Sequence, residues 1–230
     1  MALILNIETA TEVCSVALCN NGVVICKRET SDQNSHSELI TTFVEEILFE
    51  TKTKISQIEA IGLSMGPGSY TGLRIGTSTA KGLCYALDIP LIAISTIEAI
   101  AFGTIENINN ENALYCPMID ARRMEVYSAI FDSKLNQIEP IEANIIDENS
   151  FKAILLNRKT YFSGNGAEKC RSILSNYDNA QIVDIKASST HLAKLSEIKF
   201  NKNQFENLAY FEPFYLKDFI AAKSYVKGLY

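Results

Sequence analysis

The amino-acid sequence predicts an α/β protein made of two tandem mixed-sheet domains, each in the order βββαβαβα, the second the smaller. Three observations carry that reading. Short apolar runs alternate with stretches of helical spacing along the chain, the pattern of sheets covered by crossover helices. The order of these runs repeats after a polar, Asn-rich stretch at 104–112. In each half a strand leads through a Gly-x-Gly loop into a helix, at Gly66-Pro67-Gly68 and at Gly164-Asn165-Gly166. The predicted domains are 1–104 and 113–230.

Ala2–Ile7 is an apolar run that ends at Glu8-Thr9-Ala10-Thr11. Val13–Leu18 and Val23–Lys27 follow as strands joined at Asn20-Asn21-Gly22, where Asn-Gly supplies the positive φ angles of a tight hairpin. Leu39, Ile40, Phe43, Val44, Ile47 and Leu48 form one apolar stripe on a helix over 37–49. Ala60–Ser64 is the next strand, and it feeds the glycine loop and a helix over 70–87. Beyond Pro90 lies a strand at Leu91–Ile94, and Ser95 with Glu98 predicts a capped helix to about Phe102. In the second half the strands are Leu114–Ile119, Glu125–Phe131 and a weaker one within Gln137–Ala143, with a helix near Ser150–Leu156. A strand at Tyr161–Ser163, a helix to about Ser175, a strand at Ile182–Ile185 and a helix from Ser189 complete it. The turn Ile7-Glu8-Thr9-Ala10-Thr11-Glu12-Val13 is echoed by Ile119-Asp120-Ala121-Arg122-Arg123-Met124-Glu125-Val126, one residue longer. Two mixed-sheet halves, each with an acidic turn and a glycine loop, describe the actin-like (ribonuclease H-like) architecture. The C-terminal aromatics from Phe205 to Phe219 read as packing, on a domain of the chain or on a partner.

Composition excludes several function classes. The formal net charge is −6, and no basic stripe interleaved with aromatics is present, so the chain alone should hold RNA poorly. No apolar run approaches the roughly 20 residues of a membrane span, and the first residues read as a strand, not an export signal. The six cysteines form no Cys-x-x-Cys pair and are expected reduced, in a cytoplasmic protein. His36 and His191 are the only histidines. A catalytic zinc usually takes three protein ligands, so no metal site is expected.

Glycines between a strand and a helix can turn backbone N–H groups toward an anion. The spacing Gly66-x-Gly68-x-x-x-Gly72 is one residue longer than the dinucleotide fingerprint, and the Gly-Lys-Ser/Thr ending of a P-loop is absent. The helix beyond carries Gly72, Gly76 and Ala80 four residues apart, flanked by Thr79 and Gly82. An interior glycine costs about 1 kcal/mol relative to alanine. So smooth a face implies close approach of another helix, either that at 37–49 or one from a partner.

Four segments then carry a family resemblance. They are Ile4–Leu18, the run GPGSYTGLRIGTSTAK at Gly66–Lys81, Asp120-Ala121-Arg122-Arg123-Met124-Glu125-Val126-Tyr127, and Pro213-Phe214-Tyr215-Leu216. They resemble the TsaB family, YeaZ-like relatives of the TsaD/glycoprotease proteins. The resemblance implies an actin-like fold and a non-catalytic role in threonylcarbamoyl transfer to adenosine 37 of ANN-decoding tRNAs. It implies a TsaD-like catalytic partner, a TsaE-like ATPase docking on the pair, and a homodimer through the same helices. Contact with tRNA is then indirect, and no membrane is involved. The implied partner interface comprises Leu39, Phe43, Tyr70, Gly72, Leu73, Gly76, Thr79, Ala80 and Leu83.

The architecture also offers an ATPase or kinase reading. Glu8, Thr9, Thr11, Gly66, Gly68, Asp120, Arg122, Gly164 and Gly166 would then hold phosphate and Mg. The short second half leaves little to enclose adenine, so no cofactor is expected beyond weak or vestigial ATP–Mg binding. A metallopeptidase reading fails on its ligands. Where TsaD-type proteins carry a His-x-x-x-His pair, His36 is followed four residues on by Ile40.

Overall fold

Leu3–Glu8, the first strand (β1), is buried along nearly its whole length, as expected where both faces of a sheet are covered. The computed structural model describes residues 2–32 and 36–217. After β1 come β2 (Cys14–Asn20), β3 (Val23–Thr30), α1 (His36–Thr51), β4 (Ala60–Ser64), α2 (Tyr70–Leu87), β5 (Leu91–Ile94) and α3 (Thr96–Ile108). The second half holds β6 (Leu114–Asp120), β7 (Glu125–Phe131), β8 (Gln137–Ile145), α4 (Lys152–Leu155), β9 (Thr160–Ser163), α5 (Arg171–Leu174), β10 (Ala180–Ile182) and α6 (Leu192–Asn201). The sheets run β3-β2-β1-β4-β5 and β8-β7-β6-β9-β10. In both, the first three strands are antiparallel and the last two join in parallel. The two halves therefore share one topology, the predicted repeat.

Periodicity explains which helix covers which face. Ile40, Val44 and Ile47 of α1 and Ala80 and Cys84 of α2 pack on Leu5, Ile7, Val16 and Leu18 of the first sheet. On its other face Ile4, Ile92 and Ile94 meet Leu192 and Leu195 of α6. Ile97 and Ile100 of α3 cover Tyr115, Ile119 and Phe131 of the second sheet. Leu155 and Leu174 close the far side over Cys116, Met118 and Phe162.

Several boundaries differ from the sequence reading, each for a local reason. α3 continues to Ile108 because buried Thr104 donates to the Ile100 carbonyl at 2.7 Å and lies 2.7 Å from Ser163 Oγ. Phe151 sits at φ 62° and shortens α4 to a single turn. The strand expected at Ile182–Ile185 is β10, which starts two residues and ends three residues earlier, while Gly164 N–H still bonds the Ile185 carbonyl at 2.8 Å. Past α6 the chain returns to the first half. Glu206 N–H bonds the Leu91 carbonyl at 2.9 Å, Phe214 N–H bonds the Met65 carbonyl at 2.7 Å, and Phe211 enters the first core. Lys81 Nζ ties this segment to α2 through the carbonyls of Ala209 (3.3 Å) and Phe211 (3.2 Å). Phe219 and the rest of 218–230 lie outside the described residues.

The small-residue face of α2 requires a correction. A side chain at Gly72 would strike the Thr9 carbonyl, and one at Gly76 would strike Thr9 Oγ1 and crowd Leu63. Leu73 and Ala80 are buried too. Gly72 and Gly76 therefore face the chain's own β1–β2 turn, Gly76 also Leu63 of β4, and Leu73 and Ala80 are buried within the chain, so none of the four is open to a partner. Gly82 differs, for a side chain there meets nothing within 4 Å. Replacing Gly76 with leucine is expected to abolish cooperative folding, whereas Gly82→Ala should stabilise by about 1 kcal/mol. Urea denaturation followed by circular dichroism measures both, and a well-folded Gly76→Leu protein would contradict this packing.

Candidate functional site

In an actin-like fold the turn after the first strand and the loop after the fourth converge, so the site is built from the Glu8–Thr11 turn and Gly66–Gly72. Here the two are pressed together. A side-chain carbon at Gly68 would overlap the Ala10 carbonyl, and that carbonyl accepts from Ser69 N–H at 2.6 Å. Gly66, at φ 112°, gives its N–H to Thr96 Oγ1 at 3.1 Å and packs against the Phe214 carbonyl. Ser69 caps α2 by accepting from Gly72 N–H, and Thr9 Oγ1 donates to the Gly72 carbonyl at 2.8 Å. Thr11 Oγ1 accepts from Val13 N–H at 3.3 Å. The donors at Gly66, Ser69 and Gly72 that could cradle phosphate are thus bonded to the chain itself.

Glu8 is completely buried; one oxygen accepts from Ala10 N–H at 2.6 Å, and the Ser64 hydroxyl is a second polar neighbour. Burial pushes its pKa up to about 7, against the lowering effect of the Ala10 N–H. Glu8 is thus a carboxyl sealed from solvent, with its charged form disfavoured by burial.

The second half repeats the arrangement in the open. Gly164, at φ 85°, lies against the Met118 carbonyl, and Gly166 against Ile119 and Asp120. Gly166 N–H bonds the Met118 carbonyl at 3.0 Å. Asp120 is exposed and accepts from Arg122 N–H at 2.7 Å, with Lys169 as its ion-pair partner. Asn165 accepts from Asp120 N–H at 3.0 Å and donates to Glu12, joining the two turns. Arg122 and Arg123 both adopt positive φ, at 69° and 51°. Left-handed backbone costs an ordinary residue about 1 kcal/mol or more. So the structure does gather Glu8, Thr9, Thr11, Gly66 and Gly68 into one contact, and Asp120, Arg122, Gly164 and Gly166 into another. In the first contact the loop donors at Gly66, Ser69 and Gly72 are bonded within the chain, and in the second Asp120 is paired with Lys169. Among the described residues no group of three or more His, Cys, Asp or Glu side chains could hold a metal.

Of the expected interface residues, Leu39, Phe43, Tyr70, Thr79 and Leu83 are half-buried. Sequence reasoning missed the most exposed aromatics of the same helices, Phe49 (88%) and Tyr85 (85%). Their signal was available, since both fall off the apolar stripe. It also missed Glu12, Arg123, Asn165 and Lys169, whose use depends on a fold-level meeting of two turns.

The fold and these paired turns define a two-domain, actin-like α/β protein with its loops closed on themselves. A family model described as TsaD, tRNA N6-adenosine threonylcarbamoyltransferase, matches residues 24–228, and the chain belongs to that family. Within it the protein is TsaB/YeaZ-like. It is 39% identical to the tRNA threonylcarbamoyladenosine biosynthesis protein TsaB of Escherichia coli, over 59% of this chain and 57% of that one. It is 38% identical to TsaB of Haemophilus influenzae, over 54% and 51%. The chain thus matches little more than half the length of these relatives. A crystal structure of a Pseudomonas aeruginosa protein with similarity to peptidase YEAZ superposes with TM-score 0.81 at 22% identity, covering 94% of this chain and all of that one. A polyphosphate/ATP-glucomannokinase from Arthrobacter, at TM-score 0.51 and 10% identity over 87% of this chain and all of that one, shares the actin-like fold.

Glu8 yields a pH test. Its folded pKa, about 7, stands above the ordinary 4.5. Its contribution to stability is therefore full below pH 4.5 and lost as pH rises through 7. Relative to Glu8→Gln, the unmodified chain should lose about 3 kcal/mol of unfolding free energy between pH 4.5 and 8. Parallel urea titrations of the two proteins that stay offset by a constant amount would rule this out.

Proposed function

We propose that the chain is a non-catalytic subunit in the making of tRNA threonylcarbamoyladenosine. It acts by binding a TsaD-like catalytic partner, with a TsaE-like ATPase docking on the pair, in the cytoplasm. One contrast carries the reading. The loop that could cradle phosphate is bonded internally, while the outer faces of α1 and α2 leave Phe49 and Tyr85 in water. Amphipathic helices that expose large aromatics present a docking surface, and buried aromatic anchors carry most of the energy of such interfaces. Leu39, Phe43, Tyr70, Thr79 and Leu83, on the same two helices, are half-buried. The names of the relatives supply the pathway.

Such a subunit works through differential affinity: it shifts its partner toward a competent conformation by binding that conformation more tightly. Adenosine 37 of an ANN-decoding tRNA is then modified in the partner's site, and the partner supplies the main hold on RNA. A homodimer through the same face competes with that complex. The test is threonylcarbamoyl transfer by TsaD- and TsaE-type proteins with and without the chain. Transfer should fall more than tenfold in its absence, and equal yields would sink the reading. Tyr85→Ala should weaken association with the catalytic partner about tenfold without lowering the melting temperature, as read by calorimetry and thermal denaturation.

A further inference from the structure

The turn between β6 and β7 is made of residues that its backbone disfavours. Asparagine and glycine suit positive φ and arginine does not, yet Arg122 and Arg123 stand there in succession. Neighbours hold them in place. Asp120 accepts from Arg122 N–H at 2.7 Å, and Lys169 Nζ donates to the carbonyls of Arg123 (2.8 Å) and Glu125 (2.6 Å). Lys169 answers the Asp120 charge from beneath, which leaves both arginines exposed on the outside. Strain that the surroundings maintain points to a use for the side chains.

The C-terminal segment extends the same surface. Lys217 pairs with Glu125, and Tyr127 lies within electrostatic reach of Lys217 and Arg122. Two residues before Lys217, the Tyr215 ring lies 4.7 Å from that of Tyr70, over which Arg74 stacks at 4.1 Å. Cations outnumber carboxylates along this strip, on a chain whose net charge is −6. Residues 74, 122, 123 and 217 lie far apart in the sequence, apart from the adjacent pair 122 and 123, so no basic stripe shows there.

We infer that this strip binds the phosphate backbone of RNA, with Arg122 and Arg123 as principal contacts. The choice of RNA rests on the function proposed above; the anion-binding geometry does not. Spaced cations on open, exposed ground suit successive phosphates of a strand better than one small phosphate ester. The strip adds to the partner's hold on RNA and gives the chain a direct contact of its own.

A turn-compatible variant tests this without disturbing the fold. Arg122→Asn combined with Arg123→Gly suits the positive φ angles, so its melting temperature should hold or rise. Binding of a labelled RNA stem-loop to the full chain, by fluorescence anisotropy at about 50 mM salt, should weaken about tenfold. The slope of log affinity against log salt should become less negative by about 1.4, the value for two single-strand phosphate contacts. Lys217→Gln gives an independent, smaller loss. Unchanged affinity and slope in the variant, no measurable RNA binding by the unmodified chain, or equal competition by Mg-ATP would each overturn the inference. Loss of partner association with RNA binding intact would instead remove only the proposed docking role.

Discussion

Thr9 Oγ1 reaches the Gly72 carbonyl at 2.8 Å, and that bond exists only because positions 68, 72 and 76 carry no side chain. Three glycines let the first turns of α2 rest on the backbone of the turn after β1. Much else follows from that approach. Ser69 N–H can bond the Ala10 carbonyl, so the loop closes. Gly66 then exchanges bonds with Thr96, N–H to Oγ1 at 3.1 Å and carbonyl from N–H at 2.9 Å, which fixes where α3 begins. α3 in turn carries Ile97 and Ile100 onto the second sheet. One close approach of helix to turn thereby orients both cores. The roughly 1 kcal/mol that each helical glycine forfeits is offset by this contact.

The second half obeys the same constraint and reaches a different chemistry. Gly164 and Gly166 let the loop after β9 press on Met118, Ile119 and Asp120, yet the helix that follows is a single turn. Little covers the β6–β7 turn, so its carboxylate stays in water. Glu8 and Asp120 occupy equivalent turns with opposite surroundings. The first is sealed, with a pKa near 7; the second is exposed and paired with Lys169. The long helix of the first half leaves Tyr85 exposed, and the bare turn of the second leaves Arg122 and Arg123 exposed.

Much of the fold was legible in the sequence, because hydrophobic spacing reports elements directly. The stripe at Ile40, Val44 and Ile47 marks α1, Ser95 marks the start of α3, and the Asn21-Gly22 turn marks a hairpin. The site was only half legible. A stripe of Gly72, Gly76 and Ala80 says that something approaches closely, without saying whether it is the chain's own turn or another molecule. Thr9 is far away in sequence, and only the tertiary contact answers. The paired positive φ angles at Arg122 and Arg123 were hidden for the opposite reason. Their residue type argues against that backbone, and neighbours contributed by β6 and the loop after β9 impose it.

The two halves are also bound together by groups of the chain itself. Ser15 Oγ lies 2.6 Å from Ser189 Oγ, and Ser188 donates to Glu29. Burial alone would raise the pKa of Glu29, but the hydroxyls of Ser188 and Ser15 hold it below the usual carboxylate value. That junction places α6 on the first sheet, where Leu192 and Leu195 join the core beside Ile4 and Ile92. At the far end Lys217 ties the returning segment to Glu125. α3 lies between the halves, with Ile97 and Ile100 on the second sheet and Ala99 in the cluster of Leu192 and Leu195, so separating them would expose apolar surface, a far larger cost than breaking one exposed ion pair. An actin-like scaffold usually exploits relative movement of its halves around a nucleotide. Here the first loop is bonded to the chain itself, and Asn165 of the second loop reaches Glu12 of the first turn, so that parting the halves would pull the two turns apart as well.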